Sequence, residues 1–267
     1  MGGAIITAAG QSNFLLQIIR GTVPGYEGIV VSGLNEDIDT SFEDIWSGGG
    51  IYMWPQISST LEAISTNAGD TAAGAGARTV LVEGLDDDFD EISEGITMNG
   101  LAASLATTQT FRRVNNIQVA TAGTYGGTNV GGNFGDITVR ISGGGATQGI
   151  ITAATPPLMM GQGHLGRFTV PRAKRLFLTD LSVAVDDQNS ADFAFIQRPN
   201  AQVVVAPMSS PIVGFLHVAI TNSDQFPFQV LGPPEGLPGR TDFWIAARGG
   251  SVNARVSFLA RFIMIDD

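Results

Sequence analysis

Apolar and polar residues alternate with a period of two through most of this chain, whereas helical spacing is scarce. The segment 135–142 (GDITVRIS) has isoleucine or valine at every second position, and 256–264 (VSFLARFIM) alternates in the same way. Alternation of this kind is typical of β-strands that bury one face. The pattern therefore predicts an all-β fold.

Glycine, asparagine and aspartate clusters separate the other strand candidates. Asn99-Gly100 is a dipeptide favoured in tight hairpin turns, because both residues reach positive φ at low cost. Residues 58–65 (SSTLEAIS) fit two helical turns or a strand equally well. The remaining candidates are 77–84, 91–98 and 111–119, followed by 167–170, 175–185, 193–198, 202–206, 213–220, 226–231, 243–247 and 252–265. Strands this short and numerous favour antiparallel β-sandwich domains, and the second group matches the strand count of a jelly roll.

A glycine triplet and a Pro-Pro pair bracket residues 143–157 (GGGATQGIITAATPP) and mark the natural domain boundary. We predict an extended N-terminal arm over residues 1–30, a β-sandwich domain over 31–146 and a jelly-roll-like β-sandwich domain over 147–267. Each of these two domains has a typical size. A single continuous two-sheet body is the alternative.

Composition excludes several functional classes. The chain has 267 residues, no cysteine, 14 basic and 25 acidic residues, and Lys174 is its only lysine. We therefore expect no disulfide and no thiolate metal site, and an acidic chain is a poor partner for nucleic acid. No apolar run is long enough for a membrane-spanning helix, and residues 1–10 lack the positive charge of a secretory signal.

Residues that support catalysis are sparse in the sequence. The two histidines are His164, in a glycine-rich stretch, and His217, in a strand pattern. No nucleophile elbow, metalloprotease motif or phosphate-binding loop accompanies them. We therefore expect a non-enzymatic protein with no catalytic residue, no cofactor and no metal site.

The acidic run 85–91 (LDDDFDE) is the one cluster that resembles a metal loop. Asp86, Asp88 and Asp90 alternate like the start of a calcium loop, but Glu91 and Thr97 stand where such a loop needs glycine and glutamate. A solvated hairpin loop is the favoured interpretation. Calcium binding at Asp86–Asp90, in a calcium-dependent or polysaccharide-degrading enzyme, is the alternative.

Three aromatic residues lie close together in sequence, at Trp46, Tyr52 and Trp54. Such a group forms a sugar-stacking platform in some carbohydrate-binding β-sandwiches. A tryptophan followed by proline after an apolar stretch more often anchors a core or an interface. We therefore predict Trp46 and Trp54 as interface residues.

Several motifs of the first half carry information beyond composition. They are 39–55 (DTSFEDIWSGGGIYMWP), 61–65 (LEAIS), 70–85 (DTAAGAGARTVLVEGL) and Asn99-Gly100. They resemble a family of virion structural proteins from tailed bacteriophages of aquatic bacteria, in which F-E-D-I-W precedes a W-P pair. The resemblance covers residues 37–146, and the later 168–171 (FTVP) is similar to the start of the family's second segment. That segment commonly continues as P-A-G-K-T, where this chain has P-R-A-K-R.

The resemblance implies a virion structural protein, and we expect a head decoration or cement protein on the capsid exterior. Its expected partners are further copies of itself, as a trimer, and the major capsid protein or other virion proteins, after assembly in the host cytoplasm. Large exposed apolar surfaces usually mark interfaces. The apolar residues of the arm therefore complete the predicted interface: Phe14, Leu15, Leu16, Ile18 and Ile19. Pairing of this segment with the chain's own first sheet is one alternative, and a glycan-binding tail, baseplate or fibre component is the other.

Overall fold

The computed structural model is built almost entirely of antiparallel strands, which confirms the predicted all-β class. It describes residues 11–123, 132–153, 161–186, 190–204, 212–219, 226–228 and 235–267. The elements are α1 (Gln11–Ile19), β1 (Tyr26–Ile38), β2 (Glu43–Asp44), β3 (Leu61–Ser65), β4 (Ala77–Leu85), β5 (Glu91–Thr97), β6 (Arg113–Ala122), β7 (Ile137–Ile141), β8 (Thr147–Ile151), β9 (Arg167–Thr169), β10 (Lys174–Val185), β11 (Ser190–Arg198), β12 (Ile212–Ala219), β13 (Phe226–Phe228), β14 (Asp242–Gly249) and β15 (Ala254–Asp266). Within these residues no helix is long and apolar enough to span a bilayer.

The larger sandwich packs two sheets around one apolar core. One sheet has the order β1-β15-β10-β13, and the other has the order β12-β11-β14-β2 with β9 also paired to β14. The predicted alternation of β15 is confirmed, because its buried side chains occupy every second position. The fully buried residues that fill the space between the sheets include Ile38, Ile45, Val170, Leu176, Leu181, Phe193, Ile245 and Val256.

The smaller sandwich joins two three-stranded sheets, β3-β7-β8 and β5-β4-β6. Its core draws on alternate positions of these strands, as the period of two predicts. The fully buried members include Ala63, Val80, Val82, Ile117, Ile137, Val139 and Ile151. Residues 61–65 form a strand, which settles the helix-or-strand alternative for that segment.

Strand pairing crosses the predicted boundary between the halves of the chain. β1 pairs with β15 along nearly its whole length, and β2 pairs with β14, so both early strands belong to the larger sandwich. β8 follows the predicted boundary but pairs with β7 in the smaller sandwich. The division of the chain into two domains at residue 146 stays a prediction. The jelly-roll connectivity of the second domain stays a prediction as well.

Some local expectations were wrong. The segment predicted as an extended arm contains α1, in which Phe14 and Ile18 are four residues apart and share one helix face. Asn99-Gly100 does lie in a turn, where Gly100 has a φ of 64°, but this turn is not a tight hairpin between β5 and β6, since both strands pair with β4. Residues 202–204 are not in a strand, and the rest of the candidate 202–206 lies outside the described residues.

Candidate functional site

Asp242 is the centre of a buried charged group where the two sandwiches meet. Its carboxylate accepts hydrogen bonds from Arg113 Nε (2.9 Å), Arg198 Nε (2.9 Å) and Thr169 Oγ1 (2.6 Å). Arg113 begins β6 of the smaller sandwich, whereas Arg198, Thr169 and Asp242 belong to strands of the larger one. Arg113 Nη1 also donates to the carbonyl oxygen of Pro55 (3.0 Å). A buried charge is tolerated only when it is paired and hydrogen-bonded, and here every charged group meets that condition.

Aromatic rings cover the guanidinium groups. Arg198 and Arg113 lie 4.6 Å and 5.1 Å from the ring centroid of Trp54, and Trp244 lies 5.3 Å from the same ring. These are cation–π distances, between guanidinium groups that are buried and tryptophan rings that are half-buried. Arg167 makes the same kind of contact with Tyr52, at 3.4 Å from the ring centroid. We call this group the arginine–aromatic cluster, and its members are Trp46, Tyr52, Trp54, Arg113, Arg167, Thr169, Arg198, Asp242 and Trp244.

The aromatic residues that resembled a sugar platform lie inside this cluster. Trp46 and Tyr52 are buried, and the half-buried Trp54 has both arginines against its ring. A stacking platform needs a free ring face, so these three side chains do not form one. Trp46 is therefore a core residue of this chain, while an interface role for Trp54 stays a prediction.

Asp44 lies at the edge of the arginine–aromatic cluster and is nearly buried. Its Oδ2 accepts the backbone N–H of Tyr52 at 2.8 Å. Burial raises the pKa of Asp44 from 3.8 to about 6, against the opposing effects of the Tyr52 hydrogen bond and of Arg167. The carboxyl group therefore titrates near neutral pH.

In the loop 50–57 the side chains of residues 51–54 alternate between exposed and buried or half-buried positions, Pro55 is buried, and Gln56 and Ile57 are exposed. Tyr52 is held through its hydroxyl, which donates to Gln148 Oε1 at 2.5 Å. The carbonyl of Pro55 is bound by Arg113, and that of Gln56 by Arg112. These bonds fix the loop backbone, so its outward side chains cannot turn into the core.

The outward side chains of this loop are large and apolar. Ile51, Met53 and Ile57 are 72%, 71% and 70% exposed, and we call them the exposed stripe. A shallow cavity of about 270 Å³ adjoins Ile51 and Met53, with Trp46 and Ile150 in its lining. Sequence reasoning missed this surface, although the alternation of Ile51 and Met53 with Tyr52 and Trp54 was a usable signal.

The predicted interface residues of the N-terminal segment divide into two groups. Ile18 is buried, and the ring of Phe14 packs edge-on against Tyr26 with centroids 5.5 Å apart. Leu16 and Ile19 are exposed. Leu15 lies in α1, but its side chain is outside the described residues. Part of the segment thus packs on β1 of its own chain, and Leu16 and Ile19 stay predicted interface residues.

The acidic run forms the β4–β5 hairpin loop, which confirms the favoured interpretation. Asp86 Oδ1 accepts the backbone N–H groups of Asp88 and Asp90, both at 2.9 Å. Asp90 forms an ion pair with Arg172 at 2.7 Å. Phe89 at the tip is fully buried. In the described ranges no three Asp, Glu or His side chains are placed to hold a metal ion.

The two histidines lie in different elements of the fold. His164 is in a loop, and its Nδ1 is 2.9 Å from Ser32 Oγ. Burial lowers the pKa of His164. His217 lies on β12 opposite Asp192, and its side chain is outside the described residues.

No protein-family model matches the chain, and no curated protein is significantly similar to it in sequence. A search of solved structures gives weak likenesses to proteins of a virus. The VP2 subviral particle of infectious bursal disease virus is 9% identical, over 95% of this chain and 77% of that one, with a TM-score of 0.24. The Gt strain of the same virus is 10% identical over 95% and 78%, with a TM-score of 0.21. Likenesses of this size carry no argument about fold or function.

Proposed function

We propose that this chain is a non-enzymatic structural protein of a virus particle. The observation that carries the proposal is the exposed stripe on a loop that the arginine–aromatic cluster holds in place. Burial of a fully exposed isoleucine or methionine stabilises an association by about 1.5–3 kcal/mol. Three such side chains fixed outward on one loop therefore favour contact with another chain.

The sequence resemblance supports the viral part of the proposal. The motif 39–55 supplies the buried Asp44, Trp46 and Tyr52, the half-buried Trp54 and the outward Ile51 and Met53. The residues that resemble the virion family thus build the loop that presents the exposed stripe. The charged residues of the arginine–aromatic cluster stabilise the fold, because its arginines bind Asp242 and a backbone carbonyl group. This structural role supports the non-enzymatic part of the proposal.

Within the particle, we propose a decoration or cement role on the capsid exterior, as a homo-oligomer with a trimer as the expected form. Net charge supports the outer location, since a chain of charge −11 is repelled by packaged DNA. The exposed stripe would contact the capsid shell or a second copy, and Leu16 and Ile19 would extend the contact.

Quantitative mass spectrometry of purified particles tests this proposal. We expect the chain in purified particles in a fixed ratio to the major capsid protein, with hundreds of copies per particle. A low copy number would instead support the tail, baseplate or fibre alternative. Absence of the chain from the particles would refute a virion role altogether.

A further inference from the structure

Strand β1 has an open edge beside an acidic cleft. Residues 165 and 166 run along β1, where Gly166 N–H donates to Ser32 O at 2.9 Å. Gly166 has a φ of 67°, and after it the chain turns away as β9 to pair with β14. The edge from Tyr26 to Val31 is therefore left without a neighbouring strand in the described part of the chain.

The backbone groups on this edge can be assigned from the register. Asp266 N–H donates to Gly25 O at 3.0 Å, so the odd-numbered residues of β1 exchange hydrogen bonds with β15. The N–H and C=O groups of Gly28 and Val30 point the other way, and Val30 is 59% exposed. An edge of this kind is a template for an added strand.

The cleft next to this edge carries negative charge. It has a volume of about 330 Å³, and its lining includes Glu27, Glu83 and Glu91 together with the amides of Asn115 and Asn116. Burial raises the pKa of Glu91, Lys174 opposes this effect, and the charges of Glu27 and Glu83 add to it. A cation that entered the cleft would relieve the repulsion among these carboxylates.

We propose that β1 and this cleft bind an extended segment of another protein chain in which lysine or arginine occupies alternate positions. The segment adds to the sheet through the backbone groups of Gly28 and Val30. Every second side chain of an added strand faces the cleft, where Glu27, Glu83 and Glu91 receive its positive charge. Pairing of two copies edge to edge would bring two sets of these glutamates together, so the occupant is a basic segment of a different chain. This surface is separate from the exposed stripe, and its test does not depend on the role of that stripe.

The test uses a synthetic nine-residue peptide in which lysine and valine alternate, and a matched peptide with glutamate in place of lysine. Amide NMR signals are followed during titration at low and high salt. We expect the lysine peptide to shift the amide signals of Gly28 and Val30 and to bind less tightly at high salt. The glutamate peptide should not shift these signals at either salt concentration. No binding at millimolar peptide, or binding that leaves these two signals unchanged, would overturn the proposal.

Three variants separate backbone pairing from charge. Val30→Pro removes an outward N–H but no bond to β15, and we expect it to weaken binding about tenfold or more. Glu27→Gln with Glu91→Gln should weaken binding about tenfold, while Asp37→Asn with Asp39→Asn, a loss of two exposed carboxylates elsewhere, should leave it unchanged. Equal binding by all variants would refute the site. Another outcome is self-association of the free protein, which Val30→Pro would then abolish. This result would make a second copy the occupant of the edge and would also contradict the proposal. If Val30→Pro fails to fold, the amide NMR signals of the wild-type protein and the binding of the glutamine variant still show whether the peptide binds at this edge.

Discussion

Arg113 and Asp242 form a buried two-point ion pair that links the two sandwiches, with Nε and Nη2 of the arginine 2.9 Å and 3.2 Å from the two carboxylate oxygens. The partners are 129 residues apart in sequence. Arg198 binds the same carboxylate, and Trp54 lies against both arginines. This pair fixes the loop that carries the exposed stripe, because Arg113 also binds the carbonyl of Pro55.

Loss of Arg113 should therefore be costly. We expect Arg113→Met to lower the free energy of unfolding by about 3–5 kcal/mol, since it leaves a buried carboxylate with one cation fewer. Urea unfolding followed by tryptophan fluorescence measures this change. Arg248→Met is the matched control, because Arg248 pairs with Asp192 at the surface and should contribute about 1 kcal/mol or less. Equal losses for the two variants would contradict the structural role of the cluster.

The raised pKa of Asp44 predicts a pH dependence of stability. Its folded-state pKa of about 6 exceeds the ordinary 3.8, so its contribution is fully present below about pH 4 and is lost as the pH rises through 6. Two pKa units correspond to about 3 kcal/mol. Relative to the wild-type protein, Asp44→Asn should gain up to that amount between pH 4 and pH 7.

Unfolding curves at several pH values measure this difference. Asp39→Asn, at an exposed position, is the control for general effects of charge. A difference between Asp44→Asn and wild-type protein that stays constant over the whole pH range would show that Asp44 does not titrate in this way.

Phe89 combines a buried ring with a left-handed backbone. Its φ is 67°, and its ring lies 5.7 Å from the Arg113 guanidinium and 6.0 Å from that of Arg240. Phe89→Ala should cost about 3–5 kcal/mol through the lost packing. Phe89→Gly should cost about 1 kcal/mol less than Phe89→Ala, because glycine adopts this φ without strain. Thermal and urea unfolding of the two variants gives the order, and a less stable glycine variant would refute the strain argument.

The exposed stripe should govern association and not folding. The double variant Ile51→Ser with Met53→Ser should keep its unfolding free energy within about 0.5 kcal/mol. Its binding to particles that lack the protein should weaken about 100-fold, as expected for two apolar side chains worth about 3 kcal/mol together. Val252→Ser, which changes an exposed residue in the turn before β15, is the control. Binding of the double variant at the wild-type level would remove the stripe from the interface.

Local alternation predicted the strands well. β7 and β15 have apolar residues at every second position, which are buried in β15 and buried or half-buried in β7, and the hairpin loop 85–91 joins two further strands that the sequence indicates, β4 and β5. The pairing of β1 with β15 was not predictable in this way, because the partners come from opposite ends of the chain. β8 was missed because it lies in a glycine-rich stretch that resembles a linker.

The candidate site was predicted only in part. Aromatic anchors at Trp46 and Trp54 were expected, but the sequence does not show whether an anchor packs in its own chain or on another. The answer depends on Arg167 and Arg198, which reach the aromatic rings from distant strands. The outward direction of Ile51 and Met53 follows from the same contacts. Arg167 and Arg198 hold the neighbouring Tyr52 and Trp54 inward, so the alternate side chains point outward.

Cryo-electron microscopy of the intact particle would show whether this chain decorates the outside of the head. We expect density for this chain on the outside of the icosahedral head, in hundreds of copies, with Ile51 and Met53 buried against the shell or a second copy. Density confined to the neck or tail in few copies, or an exposed stripe that remains in contact with solvent, would contradict this expectation.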